Sequence, residues 1–270
     1  MDMDDLRRRG LVLLGCGKMG SAMLRGWLAD GFPPAAITVI DPQPAEWLAG
    51  QGVGVNAELP DNPAIVLIAV KPQTMDEALP AMARFGNGDT LFLSVAAGTT
   101  IERLESILGA ETPIVRAMPN TPAAVGRGIT AIIGNAHASE DQMALAESLL
   151  GVVGRVVRLD SENQIDAVTG VSGSGPAYVF HLVEAMALAG ELQGLPPELA
   201  MELARQTVIG AGELLHRSEE SAEQLRINVT SPNGTTAAAL ELLMSEEDGL
   251  PVLMSKAVGA AADRSRELGR

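Results

Sequence analysis

Aromatic side chains make up only 3% of this 270-residue chain, and cysteine occurs once, as Cys16. A single cysteine excludes an intrachain disulfide framework and suits a reducing compartment. The scarcity of aromatics removes the stacking platforms on which single-stranded nucleic acid is held. Basic residues are outnumbered as well: 19 Lys and Arg face 34 Asp and Glu, for a net charge of −15. Such a field repels nucleic acid and anionic membranes. No apolar run approaches the roughly 18 residues that mark a membrane span. The charged segment 1–9 lacks the apolar stretch of a secretory signal. These absences point to a cytoplasmic location, with neither nucleic acid nor membrane as partner. His137, His181 and His216 have no ligand-like partner four residues on, so no metal site is expected.

What is present is aliphatic. Hydrophobic residues reach 47%, so the core must be built from Ala, Val, Leu, Ile and Met. In the first part of the chain, apolar runs at 11–14, 37–40, 65–70, 91–95 and 114–117 read as strands. Between them, 19–29, 46–49, 74–84 and 101–108 read as helices. Strands alternating with helices argue for a parallel α/β sheet. The runs are uninterrupted, which suits strands covered on both faces. A strand at 130–133, a helix at 139–150 and a strand at 154–157 close this half. Beyond Leu159 the strand-like runs stop. Helices are expected at 162–171, 176–192, 197–215, 222–228, 235–245 and 251–268. Pro176, Pro197 and Pro251 stand at helix starts, where the first turn has no amide bond for proline to break.

The first strand runs straight into Gly15-Cys16-Gly17-Lys18-Met19-Gly20 and then into a helix. This is G-x-G-x-x-G in its strand-to-helix setting, the fingerprint of a dinucleotide site. Gly15 permits the tight turn, Gly17 lets a pyrophosphate approach the backbone, and Gly20 lets the helix pack on the strand. Amides of the helix N-terminus then face the phosphates. The expected architecture is therefore α/β. A Rossmann-like domain with a mainly parallel sheet spans 1–160, and an all-α domain spans 161–270.

The second strand ends at Asp41, about twenty residues past Gly20, where an acid accepts hydrogen bonds from the adenosine ribose. Asp41 would repel a 2′-phosphate, and no Lys or Arg lies in 42–50 to compensate. The cofactor stays open between NADH and NADPH. Three loops follow later strands: Ala69-Val70-Lys71-Pro72, Ala96-Ala97-Gly98, and Met118-Pro119-Asn120-Thr121-Pro122. All fall at the carboxyl ends of strands, beyond which ligands of open α/β sheets sit. The first two are cofactor-binding candidates. Asn120 and Thr121 are candidates to hydrogen-bond the nicotinamide or the substrate.

Two polar loops interrupt the helical half: Ser172-Gly173-Ser174-Gly175-Pro176 and Thr230-Ser231-Pro232-Asn233-Gly234-Thr235-Thr236. Both end at a helix start, whose bare amides suit a carboxylate. With Ala69-Val70-Lys71-Pro72, Arg116–Pro122 and Asp166-Ala167-Val168-Thr169-Gly170, they resemble, in order, the signature segments of pyrroline-5-carboxylate reductases. The resemblance runs from about Leu11 to Leu268. It implies a nicotinamide-dependent reductase of a small cyclic imino acid, with a helical domain that dimerises. The dimer would be intertwined, with further assembly into a decamer of five dimers, and the active site would lie between subunits.

Carried over residue by residue, the resemblance implies substrate carboxylate binding at Gly234, Thr235 and Thr236. It places Thr169 by the imine nitrogen as the catalytic candidate and Glu162 on the substrate. Asn56 would touch the adenosine ribose, and Asn228 would lie near the cofactor. The family usually has Gly-Gly where this chain has Asn233-Gly234; Asn tolerates left-handed backbone best among non-glycine residues. The rival reading is a 3-hydroxyacid or sugar-acid dehydrogenase, which needs a positioned acid–base group. Lysine often fills that part, and the one Lys of the helical half, Lys256, lies outside both polar loops.

Overall fold

The computed structural model describes residues 3–269; Met1, Asp2 and Arg270, at the ends of the expected domains, lie outside them. Short apolar runs form the strands. These are β1 (Leu11–Leu14), β2 (Ile37–Ile40), β3 (Gly54–Val55), β4 (Ile65–Ile68), β5 (Leu91–Ser94), β6 (Ile114–Met118), β7 (Gly128–Gly134) and β8 (Gly154–Arg158). They make one sheet in the order β3-β2-β1-β4-β5-β6-β7-β8. Every pairing is parallel except β6 with β7.

Strands β1, β4 and β5 are buried along their whole length. Successive side chains point to opposite faces, so each strand feeds two cores. Leu11, Leu13, Ile65 and Leu67 pack with Met23 and Trp27 on one face. Val12, Leu14, Val66 and Ile68 pack with Met75, Leu79 and Leu104 on the other. The chain runs outward from β1 to β3, then crosses back to β4 on the other side of β1. That reversal is the topological switch point, where open α/β sheets hold ligands.

Around the sheet lie α1 (Met3–Arg9), α2 (Lys18–Ala29), α3 (Met75–Ala78), α4 (Ile101–Leu108), α5 (Glu140–Gly151) and α6 (Gln164–Val168). Helix α1 and the two-residue β3 have no counterpart in the expected elements. The helix expected at 74–84 is instead α3 followed by a 3₁₀ turn, Leu79–Phe85. Pro80 lacks the amide that an α-helix would need there. The helix expected at 46–49 is a single 3₁₀ turn, Glu46–Leu48.

One expected loop is not a loop. Helix α6 widens into a π-helical turn, Thr169–Gly173, and α7 (Gly175–Leu192) begins almost at once. The Thr169 and Ser172 hydroxyls donate to the carbonyls of Ile165 and Val168 at 2.8 and 3.0 Å. Back-bonds of this kind to the carbonyl four residues earlier bend a helix, in keeping with the widening here.

The chain separates into two compact units, one running to Gly173 and resuming at Ala261, the other spanning Ser174–Ala260. By compactness, α6 and the turn to Gly173 thus group with the sheet. Helix α6 belongs with the sheet because Ile165 is buried and Glu162 binds elements beside the strands. The last turns of α11 (Leu250–Leu268) return to the same unit, where Ser265 Oγ donates to Asp166 Oδ1 at 2.6 Å.

The second unit contains α7, α8 (Pro197–Arg217), α9 (Ala222–Asn228), α10 (Thr235–Leu243) and the start of α11. Helices α7 and α8 pair through small residues: Ala187, Ala200 and Ala204 are buried, and Gly190 packs against Ala200. Their large apolar side chains point outward, with Phe180 64% and Leu192 78% exposed.

Candidate active site

The turn after β1 is shaped by its glycines. Gly15 has φ +91°, and a Cβ there would lie 2.9 Å from the backbone of Ala69 and Val70, so only glycine fits. A Cβ on Gly20 would strike the carbonyl oxygen of Gly15. A Cβ on Gly17 would meet nothing within 4 Å. Two glycines are thus required by the fold. The third leaves open space against the backbone, at the N-terminus of α2, which is what a pyrophosphate needs. The residues present therefore fit a dinucleotide. Lys18 is exposed at the first residue of α2, and Met19 is half-buried.

Cys16 is buried inside the turn. Burial pushes its thiol pKa up, against a smaller opposing hydrogen bond with Ser21. A thiol held protonated is a poor nucleophile, so its part is packing. The backbone amide of Cys16 donates to Asp41 Oδ2 at 2.7 Å, and the amide of Gln43 donates to Oδ1 at 2.8 Å. Asn56, at φ +49°, faces the Asp41 backbone: its Oδ1 accepts from the Asp41 amide and its Nδ2 donates to the Asp41 carbonyl. The side-chain amide expected to meet the ribose is thus engaged in holding Asp41.

The other strand-end loops gather at the same end of the sheet. Ala69 and Val70 back the Gly15 turn, and Lys71-Pro72 starts a 3₁₀ turn. Ala96 is buried, while Ala97 and Gly98 lead to α4. A cleft of about 440 Å³ beside them is lined by Pro72, Gly98, Thr99, Arg103 and Leu268.

Behind the π turn lies a polar scaffold. Asn120 is almost fully buried; its Oδ1 accepts from the Ile129 amide at 2.9 Å and its Nδ2 donates to the Ser172 carbonyl at 3.1 Å. Asn120 therefore ties the turn carrying Thr169 to β7. Glu162 Oε1 accepts from the Ile101 amide at 2.9 Å and from the buried Arg116 at 2.6 Å. A buried cation held this way keeps β6, the start of α4 and the approach to α6 in fixed relation. Arg116 carried no assignment from sequence, although a lone cation in the apolar run 114–117 is itself a signal, since arginine is rarely buried unpaired.

In the second unit, the turn after α9 ends at α10. Asn233 sits at φ +58°, the left-handed backbone expected of it. The Gly234 amide donates to the Ser231 carbonyl at 3.0 Å, so it is committed to the turn. Thr235 and Thr236 occupy the first turn of α10, whose amides have no acceptor within the helix. Asn228 is exposed, with its amide engaged by Glu220 and Gln224. Among the described residues, no group of three or more metal-ligating side chains occurs. No described helix is long and apolar enough to cross a membrane.

Residues 162–268 match the family model described as pyrroline-5-carboxylate reductase dimerisation. Residues 10–98 match the model for coenzyme F420-dependent NADP oxidoreductases. The chain is 41% identical over 264 residues to a pyrroline-5-carboxylate reductase of Pseudomonas aeruginosa, covering 96% of each protein. Its fold matches the pyrroline-5-carboxylate reductase of Coxiella burnetii with a TM-score of 0.90 and 36% identity, over 97% of this chain and 99% of that one. It matches a Plasmodium falciparum pyrroline carboxylate reductase, solved with NADP bound, at a TM-score of 0.82 and 28% identity, over 98% and 100%. Nucleotide cradle, helical half and full-length likeness agree: this chain belongs to the pyrroline-5-carboxylate reductase family.

Proposed function

We propose that the protein reduces the cyclic imine 1-pyrroline-5-carboxylate to L-proline, the last step of proline synthesis, with NADH or NADPH as reductant. The observation that carries this reading is the cradle at the switch point, where Gly17 alone of the three glycines keeps space open over the α2 amides. When bound, the dinucleotide supplies a hydride to ring carbon 5, and a proton at the ring nitrogen completes the reduction. The phosphate loop, residues 15–20, seats the pyrophosphate, and Asp41 takes the ribose. The loops Ala69–Pro72 and Ala96–Gly98 flank the nicotinamide.

The remaining task is to hold a small anion and a protonated imine. We assign the carboxylate to the amides of Thr235 and Thr236, with Gly234 shaping the turn beneath them. We assign Thr169 to the ring nitrogen. Its hydroxyl proton is already donated to Ile165, so its oxygen faces an iminium N–H as acceptor. That arrangement favours the protonated imine, the more electrophilic form, without requiring a strong acid. Glu162 contacts the substrate through Oε2 while Oε1 stays on Arg116 and Ile101. Contact of Asn228 with the cofactor requires release of Glu220.

The dimerisation segment makes self-association part of the chain's design. We propose an intertwined homodimer with a shared active site, assembled further into a decamer of five dimers, in the cytoplasm. The deciding assay offers the purified protein 1-pyrroline-5-carboxylate with reduced cofactor, and 3-hydroxy acids with oxidised cofactor. Turnover with the imine alone is expected. Turnover with the hydroxy acids alone would hand the chemistry to the dehydrogenase reading and to Lys256.

A further inference from the structure

We infer that Asp41 makes this chain bind NADH in preference to NADPH. The inference rests on the proposed seating of a dinucleotide on the Gly15–Gly20 cradle, and adds which dinucleotide the cradle takes.

Three observations carry it. First, the Asp41 carboxylate is pinned. One oxygen holds the Cys16 amide within the phosphate loop, and the other holds the Gln43 amide. A free aspartate swings aside for an incoming anion; this one loses two hydrogen bonds if it does. Second, Asn56 clamps the Asp41 backbone from both its amide and its carbonyl. The main chain is therefore not free to retreat either. Third, no Lys or Arg occurs between Arg25 and Lys71, whereas Asp30, Asp41, Glu46, Glu58 and Asp61 do. The segment from β2 to β4 thus supplies no cation of its own.

Arg25 and Lys71 border that stretch, and Lys71 follows β4, on the far side of β1 from β2. Arg25 lies 3.7 Å over the ring of Trp47, in the segment after β2, so the ring holds its guanidinium in a cation–π contact while its charge remains. Lys18 stands at the start of α2, beside the pyrophosphate seat that both nucleotides share.

NADPH differs from NADH only in the adenosine 2′-phosphate. A ribose hydroxyl donates to a carboxylate; a phosphate, largely dianionic at neutral pH, brings only acceptors and like charge. Repulsion between fixed like charges a few ångströms apart at a protein surface corresponds to at least about a tenfold loss of affinity.

The test is equilibrium binding without substrate. The full-length protein is titrated with NADH and with NADPH, read by nicotinamide fluorescence, at low and high salt. NADH is expected to bind at least about tenfold more tightly, with the gap narrowing as salt screens the charges. The Asp41→Asn variant keeps the shape and an acceptor for Cys16 while removing the charge, and should close most of the gap by tightening NADPH. Equal or tighter NADPH binding by the unmodified protein would overturn the inference, even if the variant fails to fold. An unchanged ratio in a folded variant would also overturn it. Binding of neither nucleotide would remove the dinucleotide reading itself, and this inference with it.

Discussion

The two units of this protein solve the burial problem in opposite ways. The sheet unit carries nearly all of the fully buried large side chains, among them Trp27, Phe92, Leu13 and Leu67. It has two cores and satisfies its own apolar surface. The helical unit buries alanines and leaves Phe180, Leu192 and Leu253 more than half exposed. A face of that size and character is one that soluble chains cover with a partner. The difference teaches where each part of the chemistry resides. A cofactor seat can be built on a unit that is complete within one chain. The carboxylate seat proposed at the start of α10 belongs to the unit that leaves its apolar side chains exposed.

The sharpest way to break this contrast is in the cradle. Gly17→Val should abolish dinucleotide binding, by more than about a hundredfold, while leaving a folded protein. Gly17 has φ −69° and open space around its Cβ position, so the fold accepts a side chain there and the pyrophosphate does not. Retained binding would mean that the phosphates sit elsewhere. Gly20→Val, three residues on, should instead destabilise the sheet unit by about 1–3 kcal/mol or more, because its side chain collides with backbone. Calorimetry separates the two.

The helical unit is probed through its outer face. Phe180→Asp should weaken self-association about tenfold or more, since burying such a ring contributes about 1.5–3 kcal/mol. Reductase activity should fall with assembly, while cofactor binding persists. Sedimentation and fluorescence titration on one sample check both; a variant that stays assembled would remove Phe180 from the interface.

Smaller effects are expected at the π turn. Thr169→Ala should lower turnover about tenfold to a thousandfold with cofactor affinity unchanged, and Thr169→Ser should restore much of it. Asn120→Ala removes two hydrogen bonds from a buried site and should cost about 1–3 kcal/mol of stability. It should also lower turnover, because the turn holding Thr169 loses its tie to β7. Unchanged turnover would make Asn120 purely structural.

The smallest effect lies at Arg158, whose hydrogen bond to Glu147 holds that carboxyl below its ordinary value of 4.5. A depressed folded value gives stabilisation that is present above the ordinary value and lost as pH falls through the folded one. Arg158→Ala should therefore affect the acid limb of the unfolding curve and little else. Both side chains are about a third exposed, so solvent screening keeps the effect small.

Much of the sheet unit was legible from sequence because strands buried on both faces read as unbroken apolar runs. The Gly15–Gly20 spacing was legible because each glycine answers a local geometric demand. Asn233 in left-handed backbone was legible for the same reason. The pieces that escaped are set by distant partners. Nothing near Asn120 announces Ser172, and nothing near Arg116 announces Glu162. Residues 172–176 read as a loop because Ser and Gly favour breaks, whereas the π turn runs through Gly173 and α7 starts at Gly175. The return of the end of α11 to Asp166 is likewise a tertiary contact that composition does not carry.

The most direct measurement uses reduced cofactor deuterated at the transferring position of nicotinamide carbon 4. It is incubated with 1-pyrroline-5-carboxylate and the wild-type protein, and the product is read by mass spectrometry. The expected result is proline carrying one deuterium, bound to ring carbon 5, in step with the cofactor oxidised. Proline without the label, or cofactor oxidised with no proline formed, would contradict hydride transfer from the cofactor to the imine.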